Sequence, residues 1–355
     1  MKMKPINRLL PVILLCIMVP SMAQNASDTL NRTDKYGKKY GYWKQYKDGK
    51  LAWEGNFFNG EPVGSIIHYY TNGNIESIAK YYPSSPRVDA VIYHSNGQKA
   101  AQGEYIDKKK NGKWQYFSNK GILISEENWN KGLKNGLSTL YSSTDGTLLE
   151  EINWKMGKMH GIYKTYYTTG QNRISMNYEN GKMHGSFVCY YPDGKIWNQG
   201  QYTNNIKSGT WTRYNEDGNI LKIETLEKGF PVRTILGFAT PAQWLQIDAS
   251  QIAYLYYQGD DIYLRLNNNK TIKIINTTLN DIASNASVEI LIFINDNVLS
   301  SYNAIRKVVY SKDEDGNPEA VVTLRPTPPF EVIASGNYYE SLKSLLNTNE
   351  PSDND

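Results

Sequence analysis

The chain has 355 residues, enough for two domains, and its 28 Tyr, 8 Trp and 8 Phe favour β-sheet over a helix bundle. Its two cysteines are too few for the disulfide framework of a small secreted domain. The net charge of +4 is divided unevenly, because residues 24–230 carry 27 basic and 20 acidic residues whereas residues 231–355 carry 9 and 15. The acidic balance of the second part argues against nucleic-acid binding there.

The N-terminal segment has the pattern of a cleavable signal peptide. Three basic residues precede or adjoin an apolar run, Leu9–Val19, and small residues at Ser21 and Ala23 indicate cleavage before Gln24. The run is shorter than the roughly 20 apolar residues that a membrane-spanning helix needs. We therefore predict that residues 1–23 are removed and that the mature chain lies in the periplasm, in the cell envelope or outside the cell. Residues 24–35 form a polar N-terminal segment.

A repeat of about 24 residues fills positions 36–230. A glycine opens each of the eight units except the third, and an aromatic residue stands five positions after every start. The opening glycines are Gly41, Gly64, Gly112, Gly136, Gly161, Gly185 and Gly209, and the position-five aromatics are Tyr46, Tyr69, Tyr93, Phe117, Tyr141, Tyr166, Tyr190 and Tyr214. Because position five is always aromatic, we expect it to be structural.

Each unit also contains a turn glycine. Asp or Asn precedes it in six units, as in Asp48-Gly49 and Asn72-Gly73, and such pairs are typical of tight hairpin turns. A second aromatic run follows, and another turn often closes the unit, as at Asn59-Gly60. Each unit is therefore predicted to be a β-hairpin that becomes stable only when it is stacked against its neighbours.

The strings "GYWKQYKDGK", "GKWQYFSNKG", "NGKMHGSFVCYYPDGK" and "SGTWTRYNEDGN" resemble the MORN repeat variant of bacterial proteins of the YwqK, antitoxin-like type, over about residues 36–229. The resemblance implies an array of β-hairpins whose biochemical role is poorly defined. An antitoxin role suits a cytoplasmic protein better than an exported one, so it is not carried over. The fold class expected is mainly β: a stacked β-hairpin repeat array followed by a small mixed, β-rich α/β domain.

The tryptophans near the start of the units are the candidate binding residues. The position two residues after the opening glycine varies between units, which is the behaviour of side chains that face solvent. We predict that Trp43, Trp114, Tyr163 and Trp211 are exposed and bind the partner, since aromatic rings supply large rigid contact areas. The alternative is that they pack across strands and stabilise the array.

No pattern of catalytic or metal-binding chemistry is present in the sequence. His160 and His184 both precede an opening glycine in the repeated "KMHG", but no third ligand stands in phase with them. A polar turn position copied with the repeat is therefore favoured over a metal site. Nucleophile elbows, phosphate loops and dinucleotide fingerprints are missing. We predict no catalytic residue, no metal and no cofactor.

The repeat period stops after Phe230-Pro231, and residues 231–247 are predicted to be a connector. Residues 248–346 are predicted to form the second domain, and residues 347–355 a disordered, acidic tail. Strands are expected at 252–257, 262–266, 271–275, 290–294, 305–310, 321–325 and 331–334. A helical turn is expected at 278–283 and an amphipathic helix at 337–346.

This order of elements resembles the LytTR DNA-binding domain of bacterial response regulators over about residues 248–346. The matching segments are "IAYLYYQGDDIYLRL", "TTLNDI", "VLSSYNAIRKV" and "NYYESLKSLL". The resemblance implies Arg and His contacts to DNA, but here the corresponding stretch, Phe293 to Asn297, is neutral or acidic. Residues 248–346 carry 8 basic against 12 acidic residues, too few cations for phosphate binding. We expect no DNA binding, and a domain that caps the edge of the last hairpin.

Together these patterns predict a binding or scaffold module of the bacterial envelope without catalysis. The partner expected is an unknown protein or an envelope polysaccharide. Two alternatives stay open. A carbohydrate-binding repeat array would need solvent-facing aromatics in line along one face, and a transcription regulator would need an uncleaved, cytoplasmic chain with a basic face.

Overall fold

The structure, a computed structural model, describes residues 30–286, 289–326, 328 and 330–347. The predicted signal peptide and residues 348–355 of the predicted tail lie outside the described residues. The chain divides into two compact units, with the boundary between Lys99 and Ala100. Within the described part of the chain, no helix combines the length and the apolar character needed to cross a bilayer.

The first unit is a run of antiparallel strands in which each strand pairs with the next in sequence. Its strands are β1 (Arg32–Thr33), β2 (Lys39–Lys47), β3 (Lys50–Phe58), β4 (Glu61–Tyr69), β5 (Ile75–Tyr81) and β6 (Arg87–Tyr93). β1 lies inside the segment 24–35 that was predicted to precede the repeats, so strand pairing begins earlier than expected.

The second unit continues the repeats in the same way. Its repeat strands are β7 (Lys99–Ile106), β8 (Lys109–Phe117), β9 (Leu123–Asn130), β10 (Leu133–Lys134), β11 (Gly136–Tyr141), β12 (Leu148–Lys155), β13 (Lys158–Tyr166), β14 (Asn172–Glu179), β15 (Lys182–Tyr190), β16 (Ile196–Thr203), β17 (Ile206–Tyr214), β18 (Ile220–Glu227), β19 (Phe230–Ala239) and β20 (Trp244–Asp248). Successive strands pair antiparallel, except that β10 and β11 both pair with β9. The predicted array of stacked hairpins is confirmed.

Residues 231–247 are not the connector that was predicted. β19 pairs with β18, and β20 folds back on β19. The side chains of Thr234, Leu236 and Phe238 are buried, at 7%, 2% and 2% exposure. This alternation with a period of two marks a half-buried strand. The prediction was wrong because it followed the 24-residue period, whereas a strand can add to an open sheet edge without belonging to a repeat.

The rest of the second unit contains two smaller antiparallel sheets and two helices among the described residues. The elements are β21 (Ile252–Gln258), β22 (Asp261–Leu266), β23 (Thr271–Ile274), α1 (Leu279–Ala286), β24 (Leu291–Asn295), β25 (Val298–Ser301), β26 (Ile305–Lys312), β27 (Pro318–Leu324), β28 (Phe330–Ser335) and α2 (Gly336–Asn347). One sheet has the order β23-β22-β21-β25-β24 and the other β26-β27-β28. Sequence patterns missed β25, because Ser300 and Ser301 give this buried strand a polar composition.

The last array strands share a hydrophobic core with the five-stranded sheet. Leu236, Phe238 and Ile247 of β19 and β20 pack in one cluster with residues of that sheet and of α1, such as Leu255 and Leu279. Burial of this apolar surface is the main force that holds the final strands against the C-terminal elements. A second cluster joins the three-stranded sheet to α2 through residues such as Val322 and Leu342.

Two kinds of connection join the strands of the array. In the two-residue turns both residues have positive φ, as at Asn59-Gly60 (51° and 85°), which is the geometry of a type I′ turn. Asp48-Gly49 forms such a turn, as predicted. The other connection is a loop in which the glycine N–H donates to the carbonyl three residues earlier, as from Gly73 to Tyr70 at 2.9 Å.

Most of the predicted Asp-Gly and Asn-Gly pairs lie in these longer loops. The pairs concerned are Asn72-Gly73, Asn96-Gly97, Asp193-Gly194 and Asp217-Gly218, and Asp145-Gly146 lies in a loop one residue longer still. The sequence signal was ambiguous because a three-residue loop also ends on a residue with positive φ, where glycine is favoured.

Hydrogen bonds tie each hairpin to the next at both ends of the strands. The Tyr70, Tyr167 and Tyr191 hydroxyls each donate to the backbone carbonyl 23 residues further on, at 2.7 to 2.9 Å. At the opposite end, the N–H of several two-residue turns donates to the preceding hairpin, as from Gly132 to the Lys110 carbonyl at 2.9 Å. Each hairpin is therefore fixed by its neighbours, as in other repeat proteins.

The residue two positions after the opening glycine is the core position of the array. Ile66, Trp114 and Trp211 are 6%, 1% and 4% exposed. The two indoles lie against glycines of the preceding strand: a Cβ added at Gly103 would lie 2.4 Å from Trp114, and one at Gly200 would lie 2.2 Å from Trp211. The rings fit only because these positions lack a side chain.

Position five is half-buried rather than central to the core. Tyr46 is 53% exposed, and Phe117 is only partly covered. Its tyrosines instead pair with polar side chains 15 residues earlier: the Tyr69 hydroxyl donates to Glu54 at 2.6 Å and the Tyr166 hydroxyl to Glu151 at 2.7 Å. The hydrogen bond to Glu54, aided by burial, raises the pKa of Tyr69 to about 12.

We predict that Trp114→Ala lowers the free energy of unfolding by about 3–5 kcal/mol, because it leaves a cavity beneath a ring that is almost fully buried. Trp197→Ala is the control of the same residue type: its ring is 37% exposed, so the loss should be smaller. Lys109→Ala, at an exposed site, should have almost no effect. Urea unfolding followed by circular dichroism measures the three variants, and equal losses at both tryptophans would contradict this description of the core.

A second prediction concerns acid stability. The hydrogen bond from Tyr69, followed by one from Tyr42, lowers the pKa of the Glu54 carboxyl below 4.5. Its ionised form therefore stabilises the fold above the unfolded-state pKa, and this contribution is lost as pH falls through the folded-state pKa. Glu54→Gln should be less stable than the parent at neutral pH and should lose less stability on acidification to about pH 3.

The matched control is Glu76→Gln, at an exposed site in the same compact unit, residues 1–99. Thermal unfolding of parent, Glu54→Gln and Glu76→Gln at both pH values provides the comparison. The proposed role of Glu54 fails if Glu54→Gln and Glu76→Gln behave alike.

Candidate functional site

The four aromatic residues predicted to be exposed and to bind a partner do not form an exposed row. Trp114 and Trp211 are buried, so that prediction is wrong for them, and Trp43 and Tyr163 are half-buried. Their polar atoms are used internally: the indole N–H of Trp114 donates to the Glu104 carbonyl at 3.0 Å. Strand alternation explains the result, because the second position after the opening glycine points to the packed face of the sheet.

A lysine stands two residues before the opening glycine in several units and lies over these rings. The Lys110 ammonium is 4.7 Å from the Trp114 ring centroid and 4.9 Å from that of Trp129. Lys134 lies over Trp154 at 5.0 Å. Such cation–π contacts contribute roughly 0.5–2 kcal/mol each. Sequence reasoning missed these lysines, although their fixed position before the glycine could have revealed them.

Two cations, Lys110 and Lys134, lie with the carboxylate of Glu127 inside the array. Lys134 pairs with Glu127 at 2.7 Å, and the Trp129 indole N–H donates to the same carboxylate at 3.1 Å. Burial alone would raise the pKa of Glu127, but the hydrogen bonds from Lys134 and Tyr116 outweigh it and the net shift is downward. Burial lowers the pKa of Lys110. The ion pair, the hydrogen bonds and the cation–π contacts of this cluster are all made within the array.

The first hairpin carries a concentration of exposed rings, here called the first-hairpin aromatic surface. Its members are Tyr36, Tyr40, Tyr42, Tyr46 and Phe58, with exposures of 75%, 47%, 36%, 53% and 62%. The Tyr40 and Phe58 ring centroids are 5.9 Å apart. Tyr40 and Tyr42 alternate with Trp43, so they point away from the packed face. The sequence could have predicted this exposure, because the residues on either side of Gly41 lie on the face of the sheet opposite to Trp43.

A cavity of about 430 Å³ lies between the last repeat, β19 and β20, and α1. Phe238 and Trp244 supply apolar walls, and Asn285 contributes an oxygen that is buried without a hydrogen-bond partner. Its carboxylates include Asp281, which caps α1 by accepting from the Thr278 hydroxyl at 2.7 Å. The volume falls in the range of small-molecule sites. The lining offers oxygen acceptors to a ligand rather than positive charge.

The repeated histidines lie in neighbouring hairpins with different surroundings. His160 has a buried Nδ1 without a hydrogen-bond partner, and Nε2 of His184 is 3.8 Å from Glu179. Among the described residues, no group of three His, Cys, Asp or Glu side chains is arranged to hold a metal ion. Cys189 is buried, which raises the pKa of its thiol.

The segment that corresponds to the DNA-contacting stretch of LytTR domains ends β24 and enters the turn before β25. Asp296 accepts a hydrogen bond from the Tyr338 hydroxyl of α2 at 2.6 Å, and the Asn295 amide donates to the Ile333 carbonyl of β28 at 3.1 Å. These side chains link the two C-terminal sheets and α2. They present no cation.

Comparison with protein families gives one match. Residues 159–180, 183–204 and 207–228 match the model of the MORN repeat variant. None of the curated proteins compared with the chain matched it.

Several solved structures are similar to parts of the chain. The LytTR DNA-binding domain of a methyl-accepting/DNA response regulator from Bacillus cereus is 14% identical, with a TM-score of 0.26, over 32% of this chain and 95% of its own. The TcdB2-TccC3 structure is 10% identical over 86% of this chain and 21% of its own, with a TM-score of 0.19. The Photorhabdus luminescens Tc holotoxin pore is 12% identical over 85% and 21%, with a TM-score of 0.15. The chain spans about a fifth of these two toxin chains.

The family match falls in phase with the hairpins β13–β14, β15–β16 and β17–β18. Residues 159–228 therefore contain three tandem copies of the MORN repeat variant, as the sequence predicted.

Proposed function

We propose that this chain is an exported, non-catalytic binding or scaffold module of the bacterial envelope, and that the first-hairpin aromatic surface contacts a protein partner. Repeats of the MORN type indicate a repeat-based binding or scaffold module. The proposal adds a location, a surface and a class of partner to that general role.

The exposure of five large rings in one hairpin carries the proposal. Tyrosine and phenylalanine are enriched at protein interfaces, and buried aromatic anchors supply most of the binding free energy there. Tyr36, Tyr40 and Phe58 are each close to half exposed or more. Tyr40 and Phe58 lie side by side, and exposed apolar surface of this kind is typical of interaction sites.

The backbone beneath this surface is ordered before any partner binds. β2 pairs with β3 over seven consecutive positions apart from one bulge, and the Asp48-Gly49 turn fixes their register. Side chains on a preformed sheet lose less conformational entropy on binding than those on a mobile loop. A rigid aromatic face therefore suits a scaffold that docks one partner in a fixed orientation.

The envelope location is supported by the order of basic, apolar and small residues in positions 1–23. A regulator that reads DNA is not proposed. The segment Phe293 to Asn297 carries no positive charge, and its Asp296 is hydrogen-bonded to Tyr338. DNA binding requires several Lys or Arg contacts to phosphate.

Replacing both Tyr40 and Phe58 with Ser should abolish or strongly weaken capture of a discrete envelope protein by the immobilised mature chain. Both rings are exposed, so the fold should tolerate the change. Tyr310→Ser is the matched control, since Tyr310 is 45% exposed in the second unit. Affinity capture followed by binding of the purified partner gives the measurement, with thermal unfolding as a check on folding. Equal capture by parent and double variant would refute the role of this surface.

Export is tested separately. We expect the abundant form of the protein to begin at Gln24 and to be recovered from the periplasmic, envelope or extracellular fraction. N-terminal sequencing after cell fractionation checks this. An intact Met1 on a cytoplasmic form would overturn the location.

A further inference from the structure

The seventh and eighth repeat units together contain a cluster of cations and tryptophans that is separate from the first-hairpin aromatic surface. A cavity of about 190 Å³ lies between β16, β17 and β18. We call its lining the Trp197–Arg213 cluster, and its members are Trp197, Lys207, Trp211, Arg213, Lys222 and Glu224.

The repeat itself does not require these residues. Where this unit has Arg213, the first, sixth and seventh units have Gln45, Thr165 and Cys189. The position of Trp197 is occupied by Leu149 or Leu221 in other units, and that of Lys207 by Met159 or Met183. Lys207 and Trp211 recur in the array, as Lys110 and Trp114 do, whereas Arg213 and Trp197 occur at their repeat positions in this pair of units alone, and the other hairpins form without them.

The cluster has positive charge that is not balanced within the fold. Lys222 pairs with Glu224 at 2.9 Å, which neutralises one cation. Lys207 lies 4.3 Å from the Trp211 ring centroid, and the Arg213 guanidinium lies 5.6 Å from that of Trp197. Within the described ranges, no carboxylate lies within ion-pairing distance of Lys207 or Arg213.

Arg213 also has an unsatisfied donor. Its Nε is buried and has no hydrogen-bond partner. A buried N–H without an acceptor costs free energy, and a guanidinium presents its donors in a fork that fits a carboxylate or a phosphate. Nε itself is closed off from the cavity, so an anion there would bind the terminal nitrogens of the guanidinium, which line the cavity with Lys207.

The same cavity offers an aromatic platform. The Trp197 ring is 37% exposed and is supported at its side by Tyr191, with ring centroids 6.5 Å apart. Trp211 forms a buried floor beside Gly200. The cavity is smaller than the roughly 300–1,000 Å³ of sites that enclose a whole small molecule. It therefore fits one ring or one acidic group of a longer ligand.

We propose that the Trp197–Arg213 cluster binds an acidic sugar unit of an extracellular polysaccharide. The anionic group is held by Arg213 and Lys207, and the sugar ring lies on Trp197. The inference rests on the proposed function in one respect, since an exported chain is needed to meet such a polymer. It adds a second, chemically different ligand to the module.

Isothermal titration of the mature chain with tetragalacturonate, which carries carboxylates, and with maltotetraose, which is neutral, tests the proposal. We expect binding of tetragalacturonate only, weakening as salt is raised. Arg213→Gln should weaken it at least about tenfold, because a charge-assisted hydrogen bond is lost. Trp197→Leu and Lys207→Met should also weaken it. Each replacement is a residue that the same repeat position already carries in another unit, so folding should be preserved.

Lys182→Gln is the control, because Lys182 is an exposed cation of the neighbouring unit outside the cavity. Its affinity should equal that of the parent. Titration with glucose 6-phosphate and with inorganic phosphate identifies the anion. If the protein binds the sugar phosphate more tightly than tetragalacturonate, and Arg213→Gln loses this binding, the site is supported and its ligand is a phosphorylated sugar.

Three outcomes would overturn the inference. They are equal binding of neutral and acidic sugars, an equal loss in Lys182→Gln and Arg213→Gln, and no binding of any of these compounds. In the last case, a protein partner captured through Tyr40 and Phe58 would leave the scaffold function intact. The two proposals therefore fail independently.

Discussion

Within each compact unit, the hairpins depend on the ladders of hydrogen bonds that they share with neighbouring hairpins. A lone two-stranded hairpin is marginal in water, because it buries little and leaves both edges unpaired. Here the ladder is reinforced at both strand ends, by tyrosine hydroxyls such as that of Tyr191 and by turn amides such as that of Gly132. The pairing continues through β19 and β20, whose apolar side chains enter the core of the C-terminal elements. Repeat array and C-terminal domain are thus joined by burial rather than by a linker.

The ladder fixes which side chains can serve function, because alternation sends neighbouring residues to opposite faces. On the packed face, large rings fit only beside glycines such as Gly103 and Gly200, and cations are held by rings or by Glu127. On the other face of the first hairpin, Tyr40 and Tyr42 remain 47% and 36% exposed. The two binding surfaces that we propose follow from departures from the packing rule. One is an exposed aromatic face in the first unit, and the other is a cationic cavity where Arg213 replaces a small or neutral residue.

The fold could be predicted well from local patterns and the site poorly. Period, turn residues and aromatic positions gave the hairpins, and alternation gave most C-terminal strands. The buried serines concealed β25, and the end of the repeat period concealed β19 and β20. The aromatic residues two positions after the opening glycine were predicted to be exposed because that position varies between units. Variation at Trp114 and Trp211 instead reflects packing, since a large ring is possible only where the preceding strand supplies a glycine.

By itself, the sequence determined that this chain builds an array of β-hairpins, because a repeat of period about 24 with glycines at fixed turns repeats one local conformation eight times. Only the tertiary structure decided which rings are buried and which cations lack a counter-charge. These properties arise between strands rather than along one: Trp211 is buried by Gly200 across the ladder, and Arg213 lies over Trp197 from the neighbouring strand. Register and bulges set those pairings, and a one-residue shift of register would send the same side chains to the opposite face.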